Sequence, residues 1–270
     1  MINEPLICKP VLSEKVWGNK DLNEVFKHNL GENPVGEVWL FSVVEGMETT
    51  LKGVETGKTY KSTDIIKDFP LLLKLISTSS WLSVQVHPDD DFAEKLENQS
   101  IGKSEAWYFL KDGGKIKVSN DNEGVMNSFK DNSWDKCLEE IEFNKFDTIF
   151  IPAGTVHTLG PNCTILEIQQ SSDITYRLYD WGRPREIHVE KSKEVLKNVK
   201  TSYCVNRSTN GMETKYFSFN KFKNEEKIGK GIYVSLKDYK TIYLDDKVKY
   251  YFEGEWVEYK INMNGWKGII

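Results

Sequence analysis

The chain has 270 residues, 39% of them hydrophobic and 29% charged, and a formal net charge of −5. That length allows one large or two modest domains with a substantial core, and the composition excludes a collagen, a mucin-like stalk or wholesale disorder. Basic residues are scattered rather than striped, so no nucleic-acid partner is expected, and a phosphorylated ligand would need a local basic pocket.

The first twenty residues, MINEPLICKPVLSEKVWGNK, carry charges of both signs, and Pro5 and Pro10 break their one apolar patch, so no secretory leader is expected. No run reaches membrane-spanning length, and no membrane partner is expected. Cys8, Cys137, Cys163 and Cys204 form no CxxC pair; Cys163 reads as a buried thiol in an apolar strand, and a reducing cytoplasm is the expected compartment.

Short period-two segments separated by Gly, Pro, Asn and Asp dominate the middle of the chain, predicting antiparallel strands over 81–87, 105–110, 147–151, 164–169 and 174–179. A helix is predicted over 89–98, with acids in its first turn and Phe92 and Leu96 four apart, and another after Ile187, where Val195, Leu196 and Val199 recur at helical spacing. The polar stretch VNRSTNG at 205–211 reads as a linker. Beyond it come aromatic, lysine-rich strand-like pieces, KYFSF, GIYVSL, KTIYL, KVKYYF and EWVEYKI, without a histidine.

Four histidines occur, at 28, 87, 157 and 188; His28 and His188 read as incidental. In LSVQVHPDD, alternation puts Val84 and Val86 on one face and Gln85 and His87 on the other. In KSEAWYFL, Lys103, Glu105 and Trp107 share a face, and DTIFIPAGTVHTLG leads an apolar strand through a Pro-Ala-Gly turn to His157. Two histidines and a carboxylate from separate strands suit a borderline divalent ion with open positions, and Gln85 could add a neutral oxygen. A strand histidine taken singly is more often a hydrogen-bonded core or surface residue; the three together reverse those odds. Arg177, in DITYRLYDW, shares a predicted face with Thr175 and Tyr179, where it either pairs with Asp173 or Asp180 or presents a planar cation to a phosphate or enediolate.

The ordered segments VWGNKDL, FPLLLKLI, SVQVHPDD, IGKSEAWYFL, DTIFIPAGTVHTLG and ILEIQQSSDITYRLYDWGRPREIHV resemble the type I mannose-6-phosphate isomerases of the cupin superfamily, from about Val16 to about Val189. The resemblance implies a mainly β fold, a cupin jelly-roll barrel with a few helices. It divides into a catalytic domain over 1–204 and a short, degenerate cupin-like β module over 205–270. It implies one zinc ion held by His87, Glu105, His157 and Gln85, a catalytic Arg177, and Lys103, Lys74 and Trp17 in or near the substrate pocket. The expected reaction interconverts mannose 6-phosphate and fructose 6-phosphate through an enediol(ate), with a sugar phosphate as the small-molecule partner. Two competing readings are a cupin dioxygenase using the same donors on iron and a non-catalytic sugar-binding regulatory cupin. Two departures stand out: GEVWL places Leu40 where many members carry an acid, and the region after Met212 lacks the expected motif of a full second module.

Overall fold

Alternation and turn chemistry build most of this molecule, which a computed structural model describes over residues 2–66, 69–199 and 202–266. The expected mainly β fold with few helices is what forms, and the strand pairings described are antiparallel. Among the described residues no helix is long and apolar enough to cross a membrane. The chain divides into two compact units, one of Met1–Ser13, Val38–Leu75 and Thr209–Ile270, the other of Glu14–Glu37 and Ile76–Ser208.

The first unit is organised on an eight-stranded sheet. Its order is Gly211–Glu213, Phe217–Ile228, Lys249–Ile261, Gly231–Ser235, Thr241–Leu244, Leu6–Lys9, Thr50–Gly53 and Thr59–Lys61. The pieces KVKYYF and EWVEYKI are one strand, paired along its length with Phe217–Ile228 from Phe217 opposite Ile261 to Ile228 opposite Lys249. The segment expected as a C-terminal module therefore supplies five of the eight strands, and residues before Ser62 supply the other three; residues 267–270 of that segment lie outside the described residues. Phe252 anchors this unit's aromatic core, stacked on Tyr233 with ring centroids 4.5 Å apart and set edge-on to Phe222, Tyr250 and Trp256.

The second unit contains a five-stranded sheet in the order Glu139–Phe143, Gly114–Ser119, Val156–Leu159, Val84–Val86 and Tyr176–Tyr179. Opposite it run Cys204–Asn206, Thr148–Ile151, Glu105–Phe109 and Thr164–Gln170, neighbours in that order. This is the sandwich of a cupin-type barrel: side chains of alternate parity from both sheets meet between them, with Trp107, Phe109, Ile149 and Ile165 packed on Ile116, Val118 and Leu159. Each such side chain contributes about 1.5–3 kcal/mol on burial.

The opposite parity of the five-stranded sheet, Val84, Val86, Val156, Tyr176 and Leu178, is covered by Val125 of helix Asn122–Asp131, Trp134 of helix Trp134–Cys137 and Val195 and Leu196 of helix Val189–Asn198. Because helices occupy that outer face, Gln85, His157 and Arg177 are left to the inner one. The expected helix forms over Asp90–Glu97: Asp89 caps it by accepting from Phe92 N, Asn98 ends it in the left-handed conformation, and Phe92 and Leu96 pack on the outer-face cluster.

Residues 205–211 are not a free linker. Cys204–Asn206 pairs with the Thr148–Ile151 strand, and Asp147 then holds the chain by accepting from Ser208 N at 2.7 Å and Arg207 Nη1 at 2.7 Å. A polar, short-side-chain sequence looks like a linker, but the same side chains suit a turn pinned by a buried carboxylate.

Candidate metal centre and active site

Three sequence motifs are drawn to one point by Ser104. Its hydroxyl accepts from Ala153 N of the Pro-Ala-Gly turn at 3.1 Å, its N–H donates to Gln170 Oε1 at 2.8 Å, and its carbonyl accepts from Gln170 N at 3.1 Å. Gly102 brings the same segment against HPDD, since a Cβ there would stand 2.4 Å from the Asp89 carbonyl carbon, and Lys103 N donates to Pro88 O at 2.9 Å. The Pro-Ala-Gly turn closes with Thr155 N donating to Pro152 O at 3.1 Å, and Gly154 adopts φ +87, as a type II turn requires. Gly154 N also donates to His87 O at 2.8 Å.

Register does the rest. Gln85 lies opposite His157 on one side and Arg177 on the other, so the three form a row across the inner face of the five-stranded sheet. On the facing sheet Glu105 lies between Ile151 and Gln169, and Trp107 between Ile149 and Glu167. The two rows meet: His157 Nε2 is 3.0 Å from Glu105 Oε1, and His87 Nε2 is 3.6 Å from Glu105 Oε2. Trp107 sets its ring edge-on to His157 at 5.5 Å, with its own Nε1–H donated to Glu167 Oε2 at 2.8 Å.

The proton inventory at this meeting point identifies what it can hold. His87 Nδ1 donates to the Ile174 carbonyl at 2.9 Å and His157 Nδ1 to the Thr155 carbonyl at 2.9 Å, so in the neutral ring the lone pair at Nε2 is the one turned to the centre. Both Nε2 atoms face the Glu105 carboxylate. His87 Nε2 and both Glu105 oxygens are buried without a hydrogen bond, and the three ligand atoms offered by His87, Glu105 and His157 lie within 4.8 Å of one another. Burial holds the His87 imidazole well below its usual range, helped by Lys103. Burial acts to raise the Glu105 carboxyl, but Lys103, His87 and His157 outweigh it and keep the group ionised, well below the usual carboxylate range. Two imidazoles and one carboxylate, each ring steered by a backbone carbonyl, are the donor set of an open divalent-metal site.

Gln85 is buried beside them, its Nε2 3.2 Å from His157 Nε2 and its Oε1 accepting from Ser83 Oγ at 3.3 Å. Lys103 is buried with Nζ 3.2 Å from Glu105 Oε2. Trp17 is 3% exposed and packs with Ile76, Leu82 and Trp107, so it enters the hydrophobic cluster of the second unit. Lys74 and Leu40 belong to the first unit, both buried, with Lys74 Nζ 4.5 Å from the Trp39 ring centroid.

Of the two acids expected as partners of Arg177, Asp180 is committed elsewhere. Asp180 is taken by Arg183 at 2.7 Å and by Arg185 at 2.5 Å, and Arg177 Nη1 donates instead to the Glu186 carbonyl at 2.7 Å. A bulge between Arg177 and Tyr179 shifts the register, so Tyr179 joins the helix-covered cluster and stacks on Trp134 rather than sharing the face of Arg177. Arg177 Nε is buried without a partner. Spacing alone overlooked three residues: Gln169, opposite Glu105 with its Oε1 unpartnered; Glu167, opposite Trp107; and His188, against Arg177. The signal for the first two is an acid and an amide set two apart within an apolar strand.

The chain is similar to known proteins in sequence and in fold. Residues 6–106, the stretch holding Gln85, His87, Lys103 and Glu105, match the model for the phosphomannose isomerase type I catalytic domain. The chain is 35% identical over 217 residues to the probable mannose-6-phosphate isomerase GmuF of Bacillus subtilis, covering 72% of this chain and 69% of that one. It is 33% identical over 215 residues to the mannose-6-phosphate isomerase of Streptococcus mutans, covering 72% and 68%. The crystal structure of mannose 6-phosphate isomerase from Bacillus subtilis shares the fold with a TM-score of 0.75 at 24% identity, over 96% of this chain and 100% of that one. With the cupin sandwich, the two-histidine, one-carboxylate centre and relatives of this identity and coverage together, the chain belongs to the type I mannose-6-phosphate isomerases.

Proposed function

We propose that the protein interconverts mannose 6-phosphate and fructose 6-phosphate with one zinc ion held by His87, Glu105 and His157. The observation that carries this reading is the set of buried groups, His87 Nε2 and the Glu105 carboxylate, that meet at one point with no hydrogen bond between them. A divalent cation satisfies all of them at once. Gln85 joins the set through Oε1 when its amide turns over, an exchange that costs only its contacts to Ser83 and His157.

When bound, zinc supplies Lewis-acid polarisation of the substrate oxygens, with no redox role. The remaining tasks fall to the chain. Moving a proton between C1 and C2 builds negative charge on the adjoining oxygens, and cations fixed beside them lower that barrier. Arg177 shares the inner face with Gln85 and His157 and keeps an unpartnered Nε, so it stabilises the enediolate. Lys103, its ammonium beside Glu105, holds a proton at the opposite side of the centre and orients the sugar phosphate by charge. Packing of both sheets around these groups excludes water and strengthens each interaction.

A coupled assay with mannose 6-phosphate tests the reading. Turnover is expected in the zinc-loaded protein, lost on chelation and restored by adding zinc back. Zinc-loaded, folded protein with no turnover would point instead to the sugar-binding regulatory reading.

A further inference from the structure

The strand Tyr176–Tyr179 is an edge of the five-stranded sheet, paired on one side with Val84–Val86. An edge strand presents backbone N–H and C=O groups that the ladder does not satisfy. At Arg177 both are taken by one residue: Arg177 N–H donates to His188 Nδ1 at 3.0 Å, and His188 N–H donates to Arg177 O at 2.7 Å. Because these groups point to the open edge, the Arg177–Gln85 pair is of the non-hydrogen-bonded kind, in which side chains lie closest. The same segment makes a third contact, the 2.7 Å bond from Arg177 Nη1 to Glu186 O. Residues 186–188 therefore grip Arg177 at its backbone and its guanidinium and leave Nε without a partner.

We infer that His188 is a positioning residue of the isomerase, its neutral imidazole accepting the Arg177 amide at Nδ1 so that the guanidinium is held in place on the inner face. The inference rests on the reading of Arg177 as the group that stabilises the enediolate. An accepting Nδ1 requires the tautomer with its proton on Nε2, which lies 3.8 Å from a Glu186 carboxylate oxygen. A second ring proton would set Nδ1–H against the Arg177 N–H and break the bond. Burial keeps the imidazole below its usual range; Arg177 and Lys191 add to this, while Glu186 and Glu97 oppose it. Tyr176, the other titratable neighbour, has its ring 6.2 Å away and its hydroxyl committed to Glu97.

The platform beneath the ring is stiff. His188 occupies the N-cap position of helix Val189–Asn198, its carbonyl accepting from Ser192 N at 3.0 Å and Ser192 Oγ at 2.7 Å. Val195 and Leu196 of that helix pack on the outer face of the same sheet. The helix thus fixes both the face behind Arg177 and the acceptor at its edge, which is what positioning to a fraction of an ångström demands.

The test compares zinc-loaded His188→Ala, His188→Asn and Arg177→Lys with the natural protein, reading kcat, KM, zinc content and melting temperature. Ring nitrogen NMR of the natural protein reports the tautomer. His188→Ala is expected to lower kcat about fivefold, the factor that one backbone hydrogen bond is worth, with zinc content unchanged. His188→Asn places Oδ1 where Nδ1 stands and is expected to recover kcat to within about twofold, as an acceptor equal in kind. The spectrum is expected to show Nδ1 unprotonated. A protonated Nδ1, a natural kcat in His188→Ala, or an asparagine variant as slow as the alanine one would each overturn the positioning role; where the alanine variant does not fold, an asparagine variant about fivefold slower than the natural protein overturns it instead. A slow Arg177→Lys beside an unaffected His188→Ala overturns this inference alone. A natural kcat in Arg177→Lys removes the reading beneath it, and the inference with it.

Discussion

The two units treat several of their buried charged groups in different ways. In the first, Glu4 accepts from Glu55 N at 2.6 Å and Thr56 N at 3.0 Å, and Tyr233 donates to Glu258, which Lys260 and Lys227 neutralise. In the second, His87 Nε2, both Glu105 oxygens, Gln169 Oε1 and Arg177 Nε are buried without a hydrogen bond. All four histidines of the chain lie in the second unit. Both units have sheets and aromatic cores of similar kind, so sheet formation does not demand the difference. A fold tolerates unsatisfied buried groups, at about 1–3 kcal/mol each, where a ligand is to satisfy them. Glu4 and Glu258 of the first unit are satisfied by the chain itself, whereas the groups gathered at the centre of the second are left for metal and substrate.

The contrast breaks most readily at the first unit's core. Phe252 is fully buried among four aromatic rings. Phe252→Ala is expected to cost about 3–5 kcal/mol of stability, read by denaturant unfolding. The zinc content of the folded fraction should stay at one per chain. Zinc lost in step with stability would show that the first unit is part of the centre and end the distinction.

The second unit predicts the reverse outcome. His157→Ala removes one of three donors that come from separate elements and cannot replace one another's geometry. Zinc affinity is expected to fall by at least roughly a hundredfold, more than loss of a supporting residue causes, while the protein stays folded. Elemental analysis and metal titration of the purified variant check this, and full zinc occupancy in it would contradict the assignment.

What the sequence disclosed follows the same division. The helix Asp90–Glu97 and the strands carrying Glu105 and Arg177 were legible because capping, helical spacing and alternation are local. His87, Glu105 and His157 could be grouped because few groups besides histidines and carboxylates can hold a borderline metal. Helix Asn122–Asp131 was not legible: Gly124 in its first turn and asparagines along it weaken the propensity signal, and packing of Val125 on the sheet carries it. Nor was the partnership of Leu6–Lys9 with Thr241–Leu244, since nothing local to either strand encodes a pairing that spans most of the chain. His188 looked incidental because its role runs through a backbone amide eleven residues away, which no residue-type pattern records.

After Phe252 and His157, Arg177 gives the smallest effect of the three and the sharpest reading of the contrast, since its unpartnered Nε is either a group awaiting charge or a leftover of packing. Of the two acids expected to pair with it, Asp180 is committed to Arg183 and Arg185. Arg177→Lys keeps one positive charge and loses the planar fork, so it separates charge from geometry. If the fork meets charge that develops in the transition state, kcat falls at least about tenfold, equal to about 1.4 kcal/mol of barrier, while KM, zinc content and melting temperature stay near those of the natural protein. If it grips phosphate equally in ground and transition states, KM rises and kcat is preserved. The first outcome is expected, because Arg177 stands in the row with Gln85 and His157 and its backbone is clamped at the sheet edge, a rigidity that uniform binding does not need. An unchanged kcat at saturating mannose 6-phosphate and full zinc would reduce the orphaned nitrogen to a packing remnant and leave the second unit's unfinished chemistry to the metal centre alone.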